Sequence, residues 1–231
     1  DFCRFRRVKA ARMSSNPDYD AIFAEISDER RSLASTFDTF TPDQWDAPSL
    51  CEAWTVRDVA AHLVVPLIVP LWQFGLAMAR TRGNFDRANQ LMTTRVRRLH
   101  GDELPALLTA HADKKFTPPG HGPLAPLSDV IVHGLDVCRP LGIEHHVPDH
   151  RMITMLDFLV PASGAAPFKG PELRMQWRAT DLDWSRGEGP LIEASAGNLA
   201  LVLTGRSSAL AEVTGPGAEQ LAQARANRRR S

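Results

Sequence analysis

Ser128-Asp129-Val130-Ile131-Val132-His133-Gly134-Leu135-Asp136-Val137-Cys138-Arg139-Pro140 sets two aspartates and a histidine into a largely apolar run. Pro126 and Ser128 open a helix there, and Pro140 and Gly142 close it. On a helix Asp129, His133 and Asp136 fall at i, i+4 and i+7 and share one face. Val130, Ile131, Leu135, Val137 and Cys138 cover most of the rest. Such a narrow stripe on an apolar helix has two readings. As the wet side of a packed helix, the Asp–His pair contributes about 0.2–0.5 kcal/mol. Turned inward, Asp129 and His133 are two metal ligands one turn apart, and a third comes from elsewhere, since catalytic zinc sites take three protein ligands and keep one position open.

Working outward, the place to look for that third ligand is the run from Val59 to Ala79. It is almost unbroken apolar sequence, with His62 and Gln73 as its clearly polar members. Thr55-Val56-Arg57-Asp58 starts it with the pattern of a capping box, an acid three residues after the threonine. The run has the length of a membrane span. Pro66, Pro70, the embedded histidine and the lack of a second such segment make it instead one buried helix, broken or re-aimed at the prolines. His62 is either a core histidine satisfied by one hydrogen bond or the missing ligand, if this helix faces the Asp129–His133 stripe. Trp72 and Phe74 read as core, or as the wall of an apolar pocket. A rival cluster, Glu144-His145-His146-Val147-Pro148-Asp149-His150, also has two histidines four apart, but Pro148 between His146 and His150 argues against one helical face.

The remaining sequence frames these two helices. Ile22, Phe23, Ile26, Leu33 and Phe37 recur at helical spacing from Asp18 to about Phe37, and Thr41-Pro42-Asp43 opens a short turn ending near Trp45. Phe85, Leu91, Met92, Val96 and Leu99 give Asn84–His100 one apolar face, and Arg151–Val160 forms a further helix. Around Pro161–Pro171 the texture changes to Ala, Ser, Gly and Pro, a boundary. Beyond it, Leu173, Met175, Trp177 and Ala179 alternate with polar residues as a half-buried strand. Leu182-Asp183-Trp184 makes a second strand with a turn through Gly187 and Gly189, and helical patterns follow at Ala196–Leu203 and Ser207–Val213. The expected organisation is a leader at 1–16, with Met13 the natural start, a helical domain at 17–160, a linker at 161–171, a small α/β segment at 172–220 and a basic tail at 221–231 carrying Arg225 and Arg228–Arg230.

Twenty-seven basic residues balance twenty-seven acidic ones, so nothing global favours nucleic acid or an anionic membrane surface. Hydrophobic residues make up 43 %, enough to build a core. Cys3, Cys51 and Cys138 are odd in number and far apart, which fits a reducing, cytoplasmic setting better than a disulfide framework. Cys138 reads as helix core and Cys51 as a loop thiol.

Two blocks resemble a known family. Pro48-Ser49-Leu50-Cys51-Glu52-Ala53-Trp54-Thr55-Val56-Arg57-Asp58-Val59-Ala60-Ala61-His62-Leu63 and Asp129 to Gly142 resemble the actinobacterial mycothiol-dependent maleylpyruvate isomerase family, within the DinB-like four-helix-bundle superfamily. Ala179-Thr180-Asp181-Leu182-Asp183-Trp184 is similar to the smaller C-terminal segment of many relatives. The resemblance implies a mainly α fold: a DinB-like four-helix bundle, followed here by the small C-terminal α/β segment. It also implies a divalent metal, zinc or nickel, on the bundle's inner face, held by His62, Asp129 and His133. Asp129 stands where the isomerase has a glutamate, a side chain one methylene longer. The activity implied is metal-assisted reaction of a low-molecular-weight thiol, mycothiol, with an electrophilic small molecule, by S-transfer or isomerisation, in a homodimeric protein without nucleic-acid or membrane partners. Asp136 would then orient a ligand imidazole or lie exposed, and Arg139 would bind an anion or face the helix C-terminus. Two rival functions stay open: a non-catalytic small-molecule-binding bundle with a structural metal, and a metal hydrolase that uses no thiol.

Overall fold

A computed structural model describes residues 17–118, 120–160 and 174–230. The leader at 1–16 and the linker at 161–171 lie outside the described residues. The chain divides into two compact units, a helical one ending at His145 and a second one beginning at His146.

The helical unit contains α1 (Pro17–Phe37), α2 (Pro42–Asp46), α3 (Val56–Ile68), α4 (Leu71–Arg80), α5 (Phe85–His100), α6 (Leu104–Ala110) and α7 (Leu124–Cys138). Its long helices α1, α3, α5 and α7 form the four-helix bundle: α7 packs on α1 and α3, α3 packs on α5, and α6 lies against both α1 and α3. Phe23, Ile26, Leu33 and Phe37 are the buried side of α1, as their spacing requires. Phe37, Phe40 and Trp45 close one end, with ring centroids 5.4–5.6 Å apart. Both helix starts carry reciprocal capping boxes, Thr41 with Gln44 and Thr55 with Asp58.

The Val59–Ala79 run is broken at Pro70, as expected, but only its first part is buried. It is divided between α3 and α4, whose axes bend by 120° at Val69-Pro70. Pro66 is carried inside α3, while Pro70 supplies the N-cap of α4. Trp72 is 69 % exposed and Leu71 72 % exposed, so the expected core or pocket role of Trp72 is corrected. On α5 the apolar face is likewise displaced: Met92 and Val96 are buried beside Ala88, Asn89 and Thr93, while Phe85, Leu91 and Leu99 are exposed. Among the described residues no single helix is long and apolar enough to cross a membrane.

α7 begins a turn earlier than the sequence suggested. Ser128 is not its cap; the hydroxyl donates back to the Leu124 carbonyl at 2.8 Å. Its end is as expected: the N–H of Gly142, which has φ +65°, donates to Arg139 O, and that of Ile143 to Cys138 O.

The second unit holds α8 (Asp149–Leu159), β1 (Gln176–Ala179), β2 (Ser185–Arg186), β3 (Leu191–Ala194), α9 (Ala196–Leu203), a 3-10 turn at Ser207–Glu212 and α10 (Pro216–Arg230). The strand order is β2-β1-β3, with β2 antiparallel and β3 parallel to β1. The second strand is therefore Ser185–Arg186, not Leu182–Trp184, and Gly187 and Gly189 lead into a third strand that alternation had not signalled. Any Cβ on these glycines would fall 2.3 and 2.1 Å from the carbonyl oxygens of Met175 and Arg174.

The expected boundary at 161–171 gave α8 to the bundle; instead α8 packs on α9. The reason is its apolar side, Met152, Met155, Leu156 and Leu159, together with Asp157, which accepts from Trp184 Nε1 at 2.8 Å. The basic tail is also revised. Residues 221–230 continue α10, and Arg225 Nη2 donates to the Val202 carbonyl at 2.6 Å.

Candidate metal centre

Three side chains from two helices meet inside the helical unit. His62 projects from α3, and Asp129 and His133 project from α7, their ligand atoms all within 4.8 Å of one another. Asp129 Oδ1 lies 3.5 Å from His62 Nε2 and 3.5 Å from His133 Nε2. The two imidazoles stand edge to face, centroids 4.8 Å apart and planes at 73°. The stripe on α7 is thus the inner face of the helix. His133 is 1 % exposed and Asp136 0 % exposed.

Each imidazole is held from behind by an acceptor. His133 Nδ1 donates to Asp136 Oδ2 at 2.9 Å, and His62 Nδ1 donates to Asn89 Oδ1 at 3.2 Å. Burial pushes the His133 imidazole below its ordinary value of 6.5, against the hydrogen bond to Asp136 and the charge of Asp129. A neutral ring with its proton on Nδ1 presents a lone pair at Nε2. Two lone pairs and a carboxylate therefore converge, an arrangement that a shared cation stabilises.

The donor set fits a first-row divalent ion: two imidazoles and one carboxylate are the composition of catalytic zinc sites. Two ligands each about 2.1 Å from one tetrahedral ion sit about 3.4 Å apart. The two 3.5 Å separations at Asp129 are of that size.

The surrounding loop is built to fix this geometry. The Pro48–Trp54 connection is tied to α7 through Leu50 N–H, which donates to Asp136 O at 3.0 Å. Ser49 Oγ donates to Trp54 O at 2.9 Å, and Ala53 takes a left-handed φ of +65°. These constraints set the Trp54 indole 5.2 Å from the His62 ring and 6.3 Å from the His133 ring, nearly parallel to the latter at 28°. Buried Arg30 of α1 donates through Nη1 to Ala112 O at 2.8 Å and Lys114 O at 2.9 Å. Burial lowers its guanidinium pKa to about 10, with the charges of Asp129 and Asp113 opposing that shift.

Asp136 takes the orienting position and not the exposed one. Cys138 is core, as expected, and burial followed by the charge of Glu29 pushes its thiol up to about 12, which leaves it unreactive near neutrality. The rival histidine cluster is not assembled among the described residues. His146 and His150 are exposed, whereas His145 turns into the bundle, its Nε2 3.1 Å from Glu29 Oε1. Asn89 and Trp54 escaped the sequence reading as site residues. Trp54 stood inside the quoted family block, and Asn89 was recoverable only as a polar residue among buried α5 positions.

Residues 26–138 match the family model described as the mycothiol maleylpyruvate isomerase N-terminal domain. A crystal structure of the mycothiol-dependent maleylpyruvate isomerase superposes with a TM-score of 0.58 at 14 % identity, covering 89 % of this chain and 97 % of that one. A structure of a histidine-to-alanine mutant of the enzyme gives the same values. None of the curated proteins matches the sequence. At that identity the superposition speaks for the fold, and the matched segment spans α3 and α7 with all three converging side chains. Through residues 26–138, just under half of its length, the chain is similar to the mycothiol maleylpyruvate isomerase N-terminal domain.

Proposed function

We propose that this protein is a divalent-metal-dependent enzyme that brings a low-molecular-weight thiol together with an electrophilic small molecule, for S-transfer or isomerisation. The observation that carries the reading is the convergence of His62 Nε2, Asp129 Oδ1 and His133 Nε2, with an acceptor behind each imidazole. The family gives mycothiol as the thiol, and zinc or nickel suits the donor set.

The chemistry that such an ion supplies when bound is Lewis acidity, toward a thiol and toward a carbonyl oxygen. The chain's own residues do the rest. His62, Asp129 and His133 are ligands and not proton carriers, because their lone pairs are committed to the same point. Asp136 and Asn89 keep both rings in one tautomer. Trp54 shields the two imidazoles on one side and makes that wall apolar. Arg30 places a buried positive charge near Asp129, which favours an anionic group in the site.

The test is turnover by zinc- or nickel-loaded protein with an electrophilic substrate, maleylpyruvate first, with and without mycothiol. Turnover that requires both metal and thiol supports the reading. Turnover without thiol to a product that has taken up water would instead make it a metal hydrolase, and retention of an apolar compound without turnover would make it a binding protein.

A further inference from the structure

The two candidate ligand imidazoles are not held alike, and the difference assigns a role to α5. Behind His133 stands a carboxylate, Asp136, on the same helix and fully buried. Behind His62 stands a neutral amide, Asn89, on a different helix, 27 residues away. Asn89 is 7 % exposed and sits on the buried side of α5 with Ala88, Met92, Thr93 and Val96. An asparagine there has a desolvation cost that a leucine would not, which its hydrogen bonding must offset. Its Oδ1 accepts from His62 Nδ1 at 3.2 Å.

We propose that Asn89 is a positioning residue of the metal site, fixing His62 with its proton on Nδ1 and its Nε2 lone pair toward Asp129, and that its neutrality makes His62 the weaker-held ligand of the pair. An acceptor behind an imidazole raises the ring's basicity, and an anionic acceptor raises it more than a neutral one. His133 is thereby the anchoring ligand and His62 the tunable one. α5, which supplies none of the three ligands, sets the affinity through one amide. The inference rests on the metal reading above but makes a claim about the metal-free protein that stands apart from it.

The experiment compares wild type, Asn89→Leu and Asn89→Asp. First, nitrogen-15 NMR of histidine-labelled, metal-free protein reads the His62 tautomer directly. Wild type and Asn89→Asp are expected to carry the proton on Nδ1, and Asn89→Leu to lose that preference. Second, zinc affinity is measured by competition with a chelating dye. Asn89→Leu is expected to bind about 10–100-fold more weakly than wild type, and Asn89→Asp at least as tightly as wild type. Metal-free melting curves check that all three fold, and the conservative Asn89→Asp keeps the test alive if Asn89→Leu does not. A wild-type His62 protonated on Nε2, or Asn89→Asp binding zinc as weakly as Asn89→Leu, overturns the proposal. A wild type with the expected tautomer that binds no zinc overturns the metal reading and leaves the tautomer assignment standing.

Discussion

α7 and α4 invert what their sequences advertise. α7 carries Ser128, Asp129, His133 and Asp136, yet Ser128, His133 and Asp136 are buried and Asp129 is only partly reached by solvent. α4 reads Leu71-Trp72-Gln73-Phe74-Gly75-Leu76-Ala77-Met78-Ala79-Arg80, yet Ala77 is its one buried residue and Trp72, Leu71 and Leu76 face out. The difference lies in what each helix has beside it. On the α7 stripe Ser128 Oγ donates to Leu124 O and His133 Nδ1 donates to Asp136 Oδ2, while Asp129 Oδ1 lies 3.5 Å from Nε2 of both imidazoles. α4 turns away from α3 by 120° and rests on α5 alone among its main neighbours. Satisfied polar groups go inside, and apolar groups stay outside when chain geometry gives them no surface to meet.

The contrast can be broken most severely at Gly134, on the buried helix. A Cβ there would lie 2.3 Å from His145 Nε2, and the ring can move only by leaving Glu29, from which it stands 3.1 Å away. Gly134→Ala should cost about 3 kcal/mol, the upper end for overpacking, read as a lower urea midpoint. On α4, Gly75 has nothing within 4 Å of its Cβ position, so Gly75→Ala should stabilise by about 0.5–1 kcal/mol in the same assay. Equal effects at the two sites would dissolve the comparison.

Asp136→Ala comes next. It leaves the buried His133 Nδ1–H without its acceptor, at a cost of about 1–3 kcal/mol, and should weaken zinc binding about 10–100-fold in a dye competition. If stability falls while zinc affinity holds, Asp136 is structural only.

A smaller effect is acid sensitivity of the metal-free protein. Burial holds His133 below 6.5 in the folded state, so the unfolded chain binds the extra proton first. That contribution is full above about 6.5 and is lost as the pH falls below it, by at most about 1.4 kcal/mol per pH unit. Urea midpoints at pH 7.5 and 5.5 should diverge, and the divergence should shrink in His133→Gln. The smallest effect belongs to Trp72→Ser, which should stay within about 0.5 kcal/mol of wild type.

Much of the bundle was legible. The 3.6-residue spacing in α1 and α7, the Thr55–Asp58 capping box and the Gly142 stop are local signals and appear as read. His62, Asp129 and His133 were all named from spacing and resemblance, and the fold brings them together. What was not legible depends on partners distant in sequence. Phe85, Leu91 and Leu99 have helical spacing but sit off the face that α3 covers, and nothing local distinguishes that face from the one holding Asn89. The destination of α8 turns on Trp184 and Asp157, 27 residues apart. β3 is short and pairs in parallel with β1, so neither alternation nor a hairpin turn announced it.

A metal site and a wet helix face make opposite predictions for the α7 stripe. Elemental mass spectrometry of purified wild type and His133→Ala separates them most directly. A divalent ion near one per chain in wild type, lost in the variant, is the predicted result. No metal in wild type after incubation with zinc or nickel would contradict the metal site.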